Sequence, residues 1–114
     1  MQPRTLKLLD DIREAAEFIR DSAHGKSLDD YRQNRMLRLA VERCFEIIGE
    51  AIGRLSRDDP AAARKISDYR EIISFRNVLI HGYDLVDHSL VWNAITQEIP
   101  ALLGDIAALA SNAE

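Results

Sequence analysis

The sequence predicts an all-α fold, a bundle of four main helices and one short one packed up and down. Three observations carry this. Five Gly and three Pro in 114 residues are too few turn residues for a chain of many hairpins. Hydrophobic residues at 46% and charged residues at 30% describe a chain that folds rather than one that stays disordered. Apolar positions return at intervals of three and four over most of the length. One domain spanning residues 1–114 is expected, burying roughly two-thirds of its unfolded surface.

The first helix is expected from about Arg4 to Ala23. Pro3 suits its start, and Leu8, Leu9, Ile12, Ala15, Ala16 and Ile19 share one face; Gly25 ends it. Ser27 and Asp30 resemble a capping box, opening a long helix to about Arg57. Its core stripe is Leu37, Ala40, Val41, Cys44, Phe45, Ile48, Ala51, Ile52 and Leu55. A short helix is expected at Pro60, covering Ala61 to Lys65. The next runs from Tyr69 to His81, with Asp68 as N-cap and Gly82 as the stop. Asp87 caps the last, His88 to Ala110, with Leu90, Val91, Ile95, Ile99, Leu102, Leu103, Ile106 and Leu109 inward. Pro100 is expected to kink it.

The net charge of −4 does not support nucleic-acid binding through a basic coat, and no DNA partner is expected. The charge is uneven: −2 over residues 1–30, +3 over 31–76, and −5 over 77–114, where Lys and Arg are absent. Twelve of the fifteen basic residues are Arg, whose planar fork suits phosphate or carboxylate. Solvated helix faces, a local phosphate-binding face and a charge-complementary partner all fit this pattern. No apolar run approaches the ~18 residues needed to span a membrane. The segment from Met1 to Thr5 does not resemble a signal peptide, so a cytoplasmic location is expected. A single cysteine, Cys44, argues against a disulfide framework or a cysteine-rich zinc site and reads as a small core residue. Asp84, Asp87 and His88 straddle a turn and a helix start, so neither a metal site nor any other cofactor is expected.

Two stretches break the helical pattern. Glu42, Glu46 and Glu50 lie on one stripe, where like charges repel by a few tenths of a kcal/mol per pair. Gly49 and Gly53 lie beside them, each costing about 1 kcal/mol relative to Ala. They fit either tight packing within the bundle or contact with a second protomer. On the following helix, Arg76 falls within the apolar face made by Ile72, Ile73, Phe75, Leu79 and Ile80. A guanidinium there needs an anion. Either a glutamate of the long helix or a phosphate in a cleft would serve.

Asn77 and His81 share a face of that helix, followed by Gly82 and Tyr83. RNA cleavage without a metal needs a base for the 2′-OH, an acid for the leaving 5′-oxygen and a cation for the phosphorane. Histidine suits the first two tasks and arginine the third. Arg76 and His81 are roughly 140° apart on an ideal helix, and one histidine cannot be acid and base at once. Two copies about a two-fold axis would supply two.

The run Arg76-Asn77-Val78-Leu79-Ile80-His81-Gly82-Tyr83 resembles the R-N-x3-H-x-Y motif of the HepT-like branch of the HEPN superfamily. The Ile48-Gly49-Glu50-Ala51 core of the long helix is similar to that family's, as are Asp84 to Asp87, Val91-Trp92 and Ile99 to Leu102. The resemblance implies a homodimeric helical bundle, the toxin of a two-gene toxin–antitoxin module and a metal-independent ribonuclease acting on RNA. It implies Arg76 and His81 as the catalytic pair, with Asn77 as a polar helper. It also implies a minimal nucleotidyltransferase antitoxin of the MntA type, which transfers AMP from ATP to the motif tyrosine, here Tyr83. Two other readings stay open: a non-catalytic partner and AMP acceptor of such a nucleotidyltransferase, and a purely structural helical dimer with Arg76 paired to a glutamate.

Overall fold

The computed structural model describes residues 1–112. Ala113 and Glu114, the end of the expected domain, lie outside the described residues. The chain is all-α. Helix α1 spans Pro3–Ala23 and ends where Gly25 takes φ +74°, a left-handed conformation that costs glycine nothing. The Ser27–Asp30 capping box forms as expected, each side chain bonding the other's backbone N–H.

The stretch from Leu28 to Asp58 is two helices rather than one. Helix α2, Leu28–Gln33, stops at Asn34, and α3 runs from Arg35 to Asp58. The break has a local cause. Asn34 takes extended backbone, and its Oδ1 accepts the Leu37 N–H at 3.0 Å, capping α3 afresh. The bend places Tyr31 wholly inside, packed against Trp92 at 5.6 Å between ring centroids.

Helix α4 is confined to Pro60–Ala63, shorter than the expected span. Asp59 caps it by accepting the Ala62 N–H. Helix α5 has the expected bounds, Tyr69–His81. Asp68 does not cap it through its side chain; it sits at φ 57° without such a bond. Helix α5 ends at Gly82, whose N–H makes the last helical bond, to the Val78 carbonyl, and whose own backbone leaves the helical region.

The last expected helix is three pieces: α6, His88–Asn93; a π-helical turn, Ala94–Glu98; and α7, Ile99–Ser111. Asp87 caps α6 by accepting the Ser89 N–H at 2.8 Å. The wide turn lies just ahead of Pro100, where an ordinary helix would meet the missing N–H and the crowded ring. The disturbance expected at Pro100 is thus seen as a change of helix type in the turn before it. Leu90 is a correction: it is 65% exposed. Val91 and, through the wide turn, Ala94 and Ile95 face inward, which leaves Leu90 on the flank.

Helix α3 is the axis of the bundle. It packs on α1 along one side and α5 along another, while α7 packs against α1. One continuous core joins them, with Ile12, Ile19, Val41, Ile48, Ile52, Leu55 and Ile106 at its centre. Cys44 and Ala40, expected in the α3 stripe, are only half-buried, and burial raises the Cys44 thiol above its ordinary value. Helix α5 is the least covered. Leu79 is buried, Ile72, Ile73, Phe75 and Ile80 are half-buried, and Val78 is exposed. Its apolar face is therefore only partly met by α3. No helix among the described residues is long and apolar enough to cross a membrane.

Candidate active site

Arg76 leaves α5 where that helix comes closest to α3. Gly49 makes the approach possible. A Cβ on Gly49 would lie 2.7 Å from Arg76 Cγ and closer still to its Cβ. The aliphatic stem of Arg76 thus occupies the space a side chain would need. Of the two readings of Gly49, the structure shows packing within the bundle. Gly53 makes no such contact; Arg57 Nη1, at 3.8 Å, is the nearest atom to its virtual Cβ.

The guanidinium is held at both ends. Nη2 donates to Glu50 Oε2 at 2.9 Å, and Nη1 donates to Asn77 Oδ1 at 3.0 Å. Arg54 binds the other Glu50 oxygen at 3.2 Å. Nε is buried and has no hydrogen-bond partner among the described residues. The ion pair with a glutamate of the long helix is therefore formed, and Glu50 is the one chosen. The Arg76 side chain is 28% exposed, so the pair is not sealed from solvent.

A cleft of about 340 Å³ opens beside it. Arg43, Arg54 and Arg76 stand against Asp11, Glu46 and Glu50, over a floor that includes Ile47 and Ile80. Of the cleft's arginines, the sequence pattern points to Arg76 alone as a phosphate ligand. Arg43 and Arg54 carry no such signal, because the register of α3 against α5 decides which arginines join it.

His81 and Tyr83 stand apart from the cleft. His81 is exposed at the C-terminal end of α5. Tyr83 lies in a 3-10 turn, Tyr83–Leu85, and is 76% exposed. One copy of the chain thus joins Arg76, Asn77 and Glu50, and leaves His81 and Tyr83 on an open surface beyond them. Among the described residues, no three His, Cys, Asp or Glu side chains gather as metal ligands would; Asp84, Asp87 and His88 do not converge.

The glutamate stripe divides its tasks. Glu50 serves Arg76, and Glu46 lines the cleft with no ion-pair partner among the described residues. Glu42 faces the Tyr31–His88 side, where burial pushes the Tyr31 phenol upward. Burial also holds the Glu42 carboxyl above its ordinary value of 4.5, with His88 and Arg38 opposing the rise and Glu46 adding to it. A carboxyl raised on folding takes up protons more readily in the folded chain, so its ionisation opposes folding. That cost is absent well below pH 4.5 and sets in as the pH rises through and beyond it. Glu42→Gln is expected to raise the melting temperature at neutral pH relative to wild type, with the gain vanishing in acid. Thermal melts across that range check this; a gain independent of pH would remove ionisation as its cause.

Comparison with known proteins bears on what the site does. A family model described as ribonuclease HepT-like matches residues 12–109. A protein of Methanocaldococcus jannaschii named "Putative RNase" is 30% identical over 107 residues, covering 93% of this chain and 97% of that protein. Another of that name, from Caldanaerobacter subterraneus subsp. tengcongensis, is 34% identical, covering 82% of this chain and 83% of its own. A "Probable ribonuclease HepT" of Thermococcus cleftensis is 34% identical, with coverages of 84% and 86%. No solved structure matches the chain.

Proposed function

The chain belongs to the ribonuclease HepT-like family of the HEPN superfamily, and on that footing we propose that it is a metal-independent endoribonuclease whose site forms between two copies of the chain. The observation that carries this reading is Arg76, a half-buried guanidinium clamped at both Nη atoms beside an open cleft. Each Nη has a second N–H, and an incoming phosphate oxygen can accept from both.

In this reading one His81 takes the proton of the ribose 2′-OH, and the freed oxygen attacks the adjacent phosphorus. The His81 of the second copy gives a proton to the departing 5′-oxygen. Arg76 stabilises the extra negative charge of the phosphorane, and Asn77 holds the guanidinium in place. The products are a 2′,3′-cyclic phosphate and a 5′-hydroxyl. The partly covered apolar face of α5 supports a second copy there, since a half-exposed stripe of Ile72, Ile73, Phe75 and Ile80 gains from burial.

The biological role proposed is that of the toxin of a two-gene module in the cytoplasm, neutralised by an MntA-like minimal nucleotidyltransferase. The exposure of Tyr83 favours its role as AMP acceptor. Its phenolic oxygen attacks the α-phosphorus of ATP, pyrophosphate leaves, and the phenolic proton is released. The added negative charge then repels RNA from the neighbouring groove. The same exposure supports the second reading, an AMP-accepting partner without nuclease activity.

Because the groove needs a histidine from each copy, excess His81→Ala protein is expected to suppress the RNA cleavage of wild-type protein by drawing it into mixed dimers. Undiminished wild-type cleavage in that mixture would remove the shared groove.

A further inference from the structure

We propose that Glu50 is a positioning residue of this site, fixing the Arg76 guanidinium for the phosphate while weakening the cleft's hold on RNA. The inference rests on the ribonuclease reading above and deepens it.

Three features carry it. The stem of Arg76 lies in the space vacated at Gly49, so its path across α3 is set by contact. The next residue, Glu50, accepts from Nη2 at 2.9 Å and is itself held through its other oxygen by Arg54 at 3.2 Å. Asn77 takes Nη1 at 3.0 Å. Two of the five N–H groups of the guanidinium are thus used, and Nε is buried. Those remaining on Nη1 and Nη2 form a fork whose direction is set by the Glu50 and Asn77 contacts. Glu50 is 44% exposed, and pairs this open contribute little to stability. The contact does more to direct Arg76 than to hold α5 on α3, which the Gly49 seat and the edge-to-face packing of Phe45 on Phe75, 5.2 Å between ring centroids, already do.

The Glu50 carboxylate also places a negative charge beside the proposed phosphate position. Orientation and repulsion therefore act in opposite directions on the two kinetic constants. Losing the orientation lowers turnover, because small displacements of a catalytic group are costly. Losing the charge tightens RNA binding.

The test is Glu50→Gln, which keeps the shape and removes the charge. RNA cleavage kinetics, RNA affinity, melting temperature and the Arg76 side-chain nitrogen resonances are measured on it and on wild type. The expected result is a fall in kcat of at least about tenfold, a lower KM, tighter RNA binding and a melting temperature close to wild type. The Arg76 resonances are expected to show slower Cζ–Nη2 rotation in wild type than in Glu50→Gln, whose neutral amide oxygen is a weaker acceptor, while Asn77 keeps its bond to Nη1. An unchanged or higher kcat would overturn the proposal, and so would kcat falling only in step with a lost fold. Wild-type protein that leaves RNA intact would defeat the ribonuclease reading and the catalytic consequence with it. The hold of Glu50 on Arg76 is read separately from the resonances, and their identity in the two proteins would overturn it whatever the RNA does.

Discussion

Arg76→Ala and His81→Ala are each expected to lower RNA cleavage by about a hundredfold or more, with the helical bundle intact. The magnitude comes from the assigned tasks. A positioned acid or base is worth roughly 10²–10⁴ in rate, and a group stabilising transition-state charge roughly 10²–10³. The two variants should lose turnover for different reasons. His81 is exposed, so its replacement leaves packing untouched and costs within about 0.5 kcal/mol of stability. Arg76→Ala removes a solvent-open pair and a stem packed at Gly49, so a small loss of melting temperature should accompany the loss of activity. Circular dichroism and cleavage rates on the same preparations separate the effects. Unchanged cleavage in either variant would remove that residue from the site.

The second large effect is on stability. Gly49→Ala is expected to destabilise the fold by about 2 kcal/mol, within the usual range for forcing an extra carbon into a packed contact. The added Cβ would meet the stem of Arg76 at 2.7 Å or less, with the Ile72 carbonyl oxygen at 3.4 Å behind it. The obstacle is the fixed start of a side chain and a backbone atom, so α5 itself must move away from α3. Gly53→Ala, four residues on, is the contrasting case. Its new Cβ would find only the flexible end of Arg57 at 3.8 Å, and replacing a mid-helix Gly is worth up to about 1 kcal/mol in its favour. Denaturant unfolding of the pair measures the difference. Equal stabilities would mean that Gly49 does not seat Arg76.

That contrast marks the limit of what the sequence makes legible. Both glycines carry the same helix-propensity cost, and the spacing alone leaves open whether another helix or another chain comes close. Only the register of α5 on α3 distinguishes them. The same register selects Glu50 from three equivalent glutamates and brings Arg43 and Arg54 into the cleft. Features set within one element are legible: the bounds of α5, the Ser27–Asp30 box, the Asp87 cap and the disturbance before Pro100. Where a side chain competes with the backbone locally, the pattern misleads. Asn34 reads as one polar residue in a long helix, and its single bond to the Leu37 N–H ends one helix and begins another. Asp68 reads as a cap, and its left-handed backbone leaves the side chain without that bond. The residues Arg76, Asn77, His81 and Tyr83 stand out in the sequence because they cluster. Their division into a clamped pair by the cleft and an exposed pair beyond it required the fold.

The most direct measurement is incubation of the wild-type protein, verified by intact mass to carry no AMP on Tyr83, with RNA in EDTA, and then analysis of the product ends. Cleavage that persists in EDTA and leaves 2′,3′-cyclic phosphate and 5′-hydroxyl ends is the predicted result. Intact RNA, or cleavage that stops in EDTA and leaves 5′-phosphate ends, would contradict it; with intact RNA, Tyr83 as an AMP acceptor becomes the better reading of the same surface.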